Sequence, residues 1–180
     1  QAAITSFFDS RNMDRDTTVW FCLFANYQPG DDAGPSIGEQ LKMEPFKSVI
    51  ESDLVKQARQ GHGMLVVHTS RIDVYSRLWC VHELDAAISQ VLEVSAGMSI
   101  EYVKMVKARF RTYVVEGLSD EECLQAAAVK VDTIRATCGS RDDEKMLIKI
   151  VQREGGFARL DARLQQFRLD VLPAELKICA

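Results

Sequence analysis

The sequence predicts an α/β protein: a parallel sheet with flanking helices, joined to a mostly helical C-terminal half. Three observations carry this. Two short runs, Thr17 to Ala25 (TTVWFCLFA) and Met64 to His68 (MLVVH), are aliphatic, β-branched or aromatic without polar alternation, as strands buried on both faces are. A loop and then an amphipathic helical pattern follow each run, and strand–loop–helix taken twice makes a right-handed parallel unit. From residue 113 onward the apolar spacing is helical.

The 180 residues suit one domain with a sizeable core. A hydrophobic share of 47% and a charged share of 27% are ordinary for a globular chain. The net charge of −4, from 22 basic and 26 acidic side chains, argues against non-specific binding to nucleic acid or to anionic membranes. No apolar run approaches the roughly 18 residues that read as a transmembrane segment, and no signal peptide is visible. The chain begins with Gln rather than Met, which reads as a processed or partial product whose leader would leave no trace. Five cysteines stand at 22, 80, 123, 138 and 179. Their odd number and the lack of a C-x-x-C pair speak against a disulfide framework or zinc site and for a reducing compartment, either cytoplasm or an organelle stroma or matrix. Buried, inert thiols are the ordinary reading of each.

Taken in order, residues 1–16 are a polar N-terminal arm in which Phe7 and Phe8 pack onto the domain. Residues 17–112 form the α/β core, and residues 113–180 a helical extension packed on it. The first strand ends at Asn26-Tyr27-Gln28, before a loop rich in glycine and proline (PGDDAGPSIGEQ). That loop lacks the Gly-Lys-Ser/Thr of a phosphate-binding loop, so a surface loop is its first reading and a lid over a ligand its second. A helix follows from Pro45 to Ala58, with Phe46, Val49, Ile50 and Leu54 on one stripe and Pro45 in the first turn, where its missing amide costs nothing. Gly61-His62-Gly63 breaks the pattern before the second strand.

The next helix is expected to start near Ser76, a good N-cap. Leu84, Ala87, Ile88, Val91 and Leu92 make its buried stripe. Glu83 lies on the flank, with Trp79 and Cys80 four and three residues before it, on the same side. After Val94 the pattern loosens. Ile100 to Val106 reads as a third strand or, nearly as well, a helix. Leu118-Ser119 opens a helix with a capping box, Ser119-x-x-Glu122, and a stripe of Leu124, Ala127, Ala128, Val131 and Ile134. A further helix starts at Ser140 or Asp142 and is closed by Gly155-Gly156. Phe157, Leu160, Leu164 and Phe167 mark a last helix, stopped near Pro173.

In parallel sheets ligands sit beyond the carboxyl ends of the strands. Here that edge carries Asn26, Tyr27 and Gln28 from the first strand and Thr69, Ser70 and Arg71 from the second, with Glu83 close behind. The arrangement permits a polar crevice holding one carboxylate. The bland reading of Glu83 is a salt bridge or capping contact, for example to Arg71 or Arg77. His62, His68 and His82 lack ligand spacing on one helix face, so no metal is expected. Cys80 and His82, two apart on a helix, point in different directions and make a poor nucleophile pair.

The segment YSRLWCVHELDAAI resembles the S-x-x-W-C-x-x-E-L box of Toll/interleukin-1 receptor (TIR) domains. It is closer still to a TIR-like family of multidomain proteins in protists, especially algae, which pairs a W-x-C-x-F-A-x-x-Q strand with a D-V-Y-S-R-L-W-C-x-x-E helix. Both stand here, from Trp20 to Gln28 and from Asp73 to Glu83. The resemblance covers residues 17–94 well and the later half more weakly. It departs from the TIR pattern at the first strand, where Val19 to Ala25 replace an acidic residue followed by V-F-[IL]-S, and in the long acidic loop after it.

The resemblance implies a flavodoxin-like, TIR-like fold for the core and two functions. One is a protein-interaction module, a scaffold or accessory subunit that binds partner proteins or itself, needs no cofactor and takes no nucleic acid. The other is an NAD glycohydrolase, since in some TIR domains the glutamate of this box cleaves the bond between nicotinamide and ribose. That chemistry needs a carboxylate beside the ribose to steady developing positive charge, as glycoside hydrolysis does generally. Glu83 matches that glutamate. Asn26, Tyr27, Ser70, Trp79 and Cys80 would then line the substrate site, although core packing is the first reading of Trp79. The interaction module is the favoured expectation, because a fold alone does not secure a chemistry.

Overall fold

The computed structural model describes residues 2–14, 16–20, 37–52 and 63–177. Its centre is a two-stranded parallel sheet, β1 (Met64–His68) and β2 (Val94–Met98), paired in register from Met64 opposite Val94 to His68 opposite Met98. Helix α4 (Leu78–Ser89) makes the crossover. Ahead of the sheet come α1 (Ala2–Ser10), α2 (Ile37–Lys42) and α3 (Pro45–Ile50). After it come α5 (Ile100–Val115), α6 (Asp120–Ala127), α7 (Arg141–Arg153) and α8 (Gly156–Lys177). The described residues are thus mixed helix and strand, and mostly helical. Among the described residues no helix is long and apolar enough to cross a membrane.

The expected strand at Met64–His68 and its following helix are present, but the partner strand is one the sequence hides. Val94–Met98 reads VSAGM, whose serine, alanine and glycine carry little strand preference. Pairing with β1 makes it a strand. Of the other expected strand, Thr17 to Trp20 have no regular structure, and residues 21–25 lie outside the described residues. So do residues 53–58 of the helix expected from Pro45.

Residues 100–106 are helical. Ser99 caps α5, its hydroxyl accepting from the Tyr102 amide at 3.1 Å, and the helix runs past residue 112 to Val115. Ser119 and Glu122 form the expected capping box of α6. That helix stops at Ala127, however, so Val131 and Ile134 belong to the following loop and its short 3-10 turn, Thr133–Arg135. Ile134 is 68% exposed. Ser140 caps α7, and Gly155 (φ 109°) and Gly156 (φ 82°) take the left-handed conformation that ends it. Helix α8 continues through Pro173 to Lys177; the proline gives up one backbone donor without ending the helix.

Ser76 does not cap α4. Asp73 instead caps a 3-10 turn, Val74–Ser76, its carboxylate accepting from the Tyr75 amide at 3.2 Å. The Ser76 hydroxyl donates to the Asp73 carbonyl at 2.6 Å, and Arg77 becomes the N-cap of α4 without a side-chain bond. The short turn leaves Ser76 no free helical amide to serve.

The core is where α4, α7 and α8 meet the sheet: Val66, Val81, Leu84, Val151, Leu160 and Leu164 are buried together, each such side chain stabilising by roughly 2 kcal/mol. Val91, expected on this stripe, is 90% exposed and sits at φ 56° beyond the helix end. A second cluster joins α5, α6 and α8 through Tyr102, Val106, Ala127, Ala128 and Leu172. Helix α1 packs beside β2, where Arg11 pairs with Glu93 and donates to the Ser95 hydroxyl at 2.8 Å. Gly63, at φ 70°, lies so close to β2 that a Cβ there would sit 1.9 Å from the Glu93 carbonyl oxygen.

Candidate functional site

Glu83 stands in the second turn of α4, half-buried. Trp79, one turn before it, packs on Phe46 of α3 with ring centroids 4.8 Å apart, and Trp20 meets Phe46 edge-on at 5.5 Å. Trp79 therefore does the packing work its size favours, and the aromatic stack draws α3 onto the flank that carries Glu83. Burial pushes the Glu83 carboxyl up to about 7, against the opposing pull of the Arg77 guanidinium. Glu83 makes no hydrogen bond or ion pair among the described residues. Arg77 biases it without bonding to it, and the expected salt bridge to Arg71 or Arg77 does not form. His82, beside it, is held below the usual imidazole range by burial.

Of the other expected site residues, Cys80 and Ser70 are among the described residues. Cys80 is half-buried one turn before Leu84. Ser70 is exposed in the turn after β1, and no hydrogen bond links it to Glu83. Asn26, Tyr27 and Gln28 lie outside the described residues.

The carboxyl edge of the sheet holds a polar network instead. His68, the last residue of β1, is 2% exposed. Its Nε2 lies 3.1 Å from the Tyr75 hydroxyl, and its ring stacks at 5.4 Å on Tyr102 from α5. Arg168, reaching in from α8, is 1% exposed. Its guanidinium lies 4.1 Å over the Tyr75 ring, donates to both Asp73 carboxylate oxygens at 2.5 and 2.6 Å, and donates to the Ala128 and Val129 carbonyls at 2.9 Å each. A buried cation is tolerated only when paired and hydrogen-bonded, and this one is both. Burial first, and Arg168 second, lower His68 to about 4, so its ring is neutral at pH 7. Burial also pushes the Tyr75 and Tyr102 hydroxyls up.

Sequence reasoning passed over Arg168, yet a signal was there. Leu160, Leu164, Arg168 and Leu172 recur every four residues and are all nearly inaccessible, so the arginine occupies a core position of the stripe. Asp85 gives the same signal between Leu84 and Ile88. It is 4% exposed and is held by Arg159 at 2.7 Å and Arg163 at 3.0 Å, two arginines one turn apart on α8.

Beside this network lies an open groove. Residues 71–77 and 132–139 run alongside one another, bridged where the Leu78 amide donates to the Thr137 carbonyl (3.0 Å) and the Thr137 amide to the Ser76 carbonyl (2.9 Å). A pocket of about 360 Å³ opens there, lined by Ile72, Ser76, Arg77, Trp79, Thr137, Cys138 and Gly139. Neither Glu83 nor Ser70 lines it. The second wall is anchored from α8, since the Asp161 carboxylate accepts from the Thr133 amide at 2.8 Å and its hydroxyl at 2.5 Å. Among the described residues no group of three or more His, Cys, Asp or Glu side chains is placed to hold a metal ion.

Comparison with protein-family models, with curated proteins and with solved structures finds no match to this chain.

Proposed function

We propose that this chain is a TIR-like protein-interaction module, a flavodoxin-like core with a helical extension, acting as scaffold or accessory subunit of a larger assembly. One observation carries the reading: the buried Arg168 occupies the carboxyl edge of the sheet, where parallel α/β proteins bind their ligands. Its bonds to Asp73, Ala128 and Val129, with His68, Tyr75 and Tyr102 packed around it, fill that edge with the protein's own side chains. The test is turnover of NAD by purified protein, over concentrations that span self-association, with sedimentation velocity on the same samples. The reading expects concentration-dependent association or a stable complex with a partner protein, and no nicotinamide.

A second reading keeps one specific observation, the half-buried Glu83 carboxyl, without a hydrogen bond or ion pair among the described residues and raised to about 7. A perturbed, unpartnered carboxylate is what an NAD glycohydrolase needs beside the ribose. Nicotinamide released by the wild type and lost in Glu83→Gln would install this reading in place of the first.

A further inference from the structure

We propose that the outward face of α5 docks on an anionic lipid bilayer, its cations against the headgroups and its aliphatic side chains reaching the acyl boundary. The inference goes beyond the interaction-module reading and is tested apart from it.

The inward face of α5 is used by the fold. Tyr102 and Val106 are buried with residues of α6 and α8, and Met105 and Phe110 pack beside them. The outward face has a different composition. Ile100, Val114 and Val115 are 58%, 47% and 87% exposed. Lys104 and Arg111 are exposed between them, with Lys107 half-buried alongside. At 100° per residue these six side chains fall within about 100° around the axis. One stripe thus holds every large exposed hydrophobic of α5 and three of its four cations. Single exposed aliphatics are ordinary, but several gathered on one face mark a contact surface. No acidic residue stands between Glu101 and Glu116, which are about 22 Å apart along the helix. The basic face of α7 lacks this composition. Lys145, Lys149 and Arg153 line it, but Asp142 pairs with Lys145 at 3.4 Å and no large hydrophobic of α7 is exposed.

The stripe selects its partner by shape and by chemistry. A convex face on one helix encloses nothing, so it suits a surface that is itself extended. Bare aliphatic chains have no role against a phosphate backbone, and the stripe carries no aromatic ring on which a base would stack. An anionic bilayer uses both halves of the stripe. Lysine and arginine meet its surface potential, and isoleucine and valine enter the boundary beneath the headgroups. The chain as a whole has a net charge of −4, which turns the rest of its surface away from such a bilayer. Screening over about 8 Å at physiological salt lets the stripe act by its own sign.

The experiment floats the full chain with vesicles of phosphatidylcholine alone, or of equal parts phosphatidylcholine and phosphatidylserine. The chain should bind the second and not the first, and binding should weaken as salt is raised. Lys104→Gln combined with Arg111→Gln should lower partitioning by about thirtyfold. Val115→Ser, which changes no charge, should lower it severalfold, because an aliphatic chain no longer enters the bilayer. Lys149→Gln, which removes a cation from α7, should leave it unchanged. Circular dichroism of all the variants should match the parent, since each replaced side chain is exposed. Several outcomes would overturn the assignment: equal binding to both vesicles, undiminished binding in the double variant or in Val115→Ser, an equal loss in Lys149→Gln, tighter binding of a short single-stranded RNA, or binding to neither vesicle. Self-association and nicotinamide release are read on separate samples without lipid, so failure here leaves the interaction-module reading standing.

Discussion

At the scale of single residues, two titrating groups pull the stability of this protein in opposite directions. Glu83 titrates near 7 in the fold against about 4.5 when unfolded. The folded state therefore holds the proton more tightly, and the benefit, complete below 4.5, is lost as pH rises through 7. His68 titrates near 4 against 6.5. Its contribution is complete above 6.5 and is lost as pH falls through 4. Between about 4.5 and 6.5 the two slopes oppose one another. Glu83→Gln should remove one slope: chemical denaturation at pH 8 should show a gain of about 2 kcal/mol over wild type, and stability should then fall on acidification from pH 6.5. His68→Gln should leave the converse, stability that rises as pH falls from 7 to 4.5. A wild-type profile that falls on acidification as steeply as the Glu83→Gln profile would refute the raised carboxyl. The sequence made Glu83 and Trp79 visible, because a helical period places them on one flank. It did not reveal that the carboxylate bonds to neither Arg71 nor Arg77, since that depends on where the two arginines point after folding.

At the scale of elements, the sheet edge is governed by an asymmetric pair. Arg168 is nearly inaccessible, whereas the Asp73 side chain is 45% exposed. Losing the arginine leaves a carboxylate that water can solvate and two carbonyls short of a donor. Losing the aspartate leaves a buried cation without its counter-charge. Asp73→Ala should therefore cost more, about 3–5 kcal/mol against about 2 kcal/mol for Arg168→Met, and the double variant should lie near the milder of the two. Equal single costs in urea denaturation would show that the pair is solvated rather than buried. The strand pairing makes a second demand. Gly63→Ala sets a methyl group against the Glu93 carbonyl at a φ that side chains rarely adopt. It should lower the melting temperature by several degrees, for a cost of about 2 kcal/mol. β2 itself was illegible in the sequence, because Ser95, Ala96 and Gly97 form a strand only when β1 supplies the ladder. The start of α4 was misread for a related reason: Ser76 is a good cap in isolation, but Asp73 claims the preceding turn.

At the scale of the whole molecule, the C-terminal half proves to be the framework of the core. The helices were legible from spacing: Ser119 with Glu122 and Ser140 announced the starts of α6 and α7. How they pack was not, because it is written in charged residues on apolar stripes. Asp85 meets Arg159 and Arg163, and Asp73 meets Arg168, across more than seventy residues of chain. Such pairs fix which face of α8 meets which turn, a specificity that leucines alone would leave looser. Replacing Asp85 by Asn should leave Arg159 and Arg163 without their shared carboxylate and cost about 2–3 kcal/mol. Hydrogen exchange should show the loss as faster exchange along α4 and α8, with α5 and α6 little changed.

Helix α8 holds both walls of the groove, one through Asp161 and the other through Arg168. These residues stand two turns apart on one rigid rod, about 10 Å along its axis. The rod is thus a gauge that sets the separation of two loops that are distant in sequence from each other. Its calibration is angular as well as linear. One extra residue inserted between them would swing one anchor about 100° around the axis. The two loops would then lose their common spacing while each kept its own local turn.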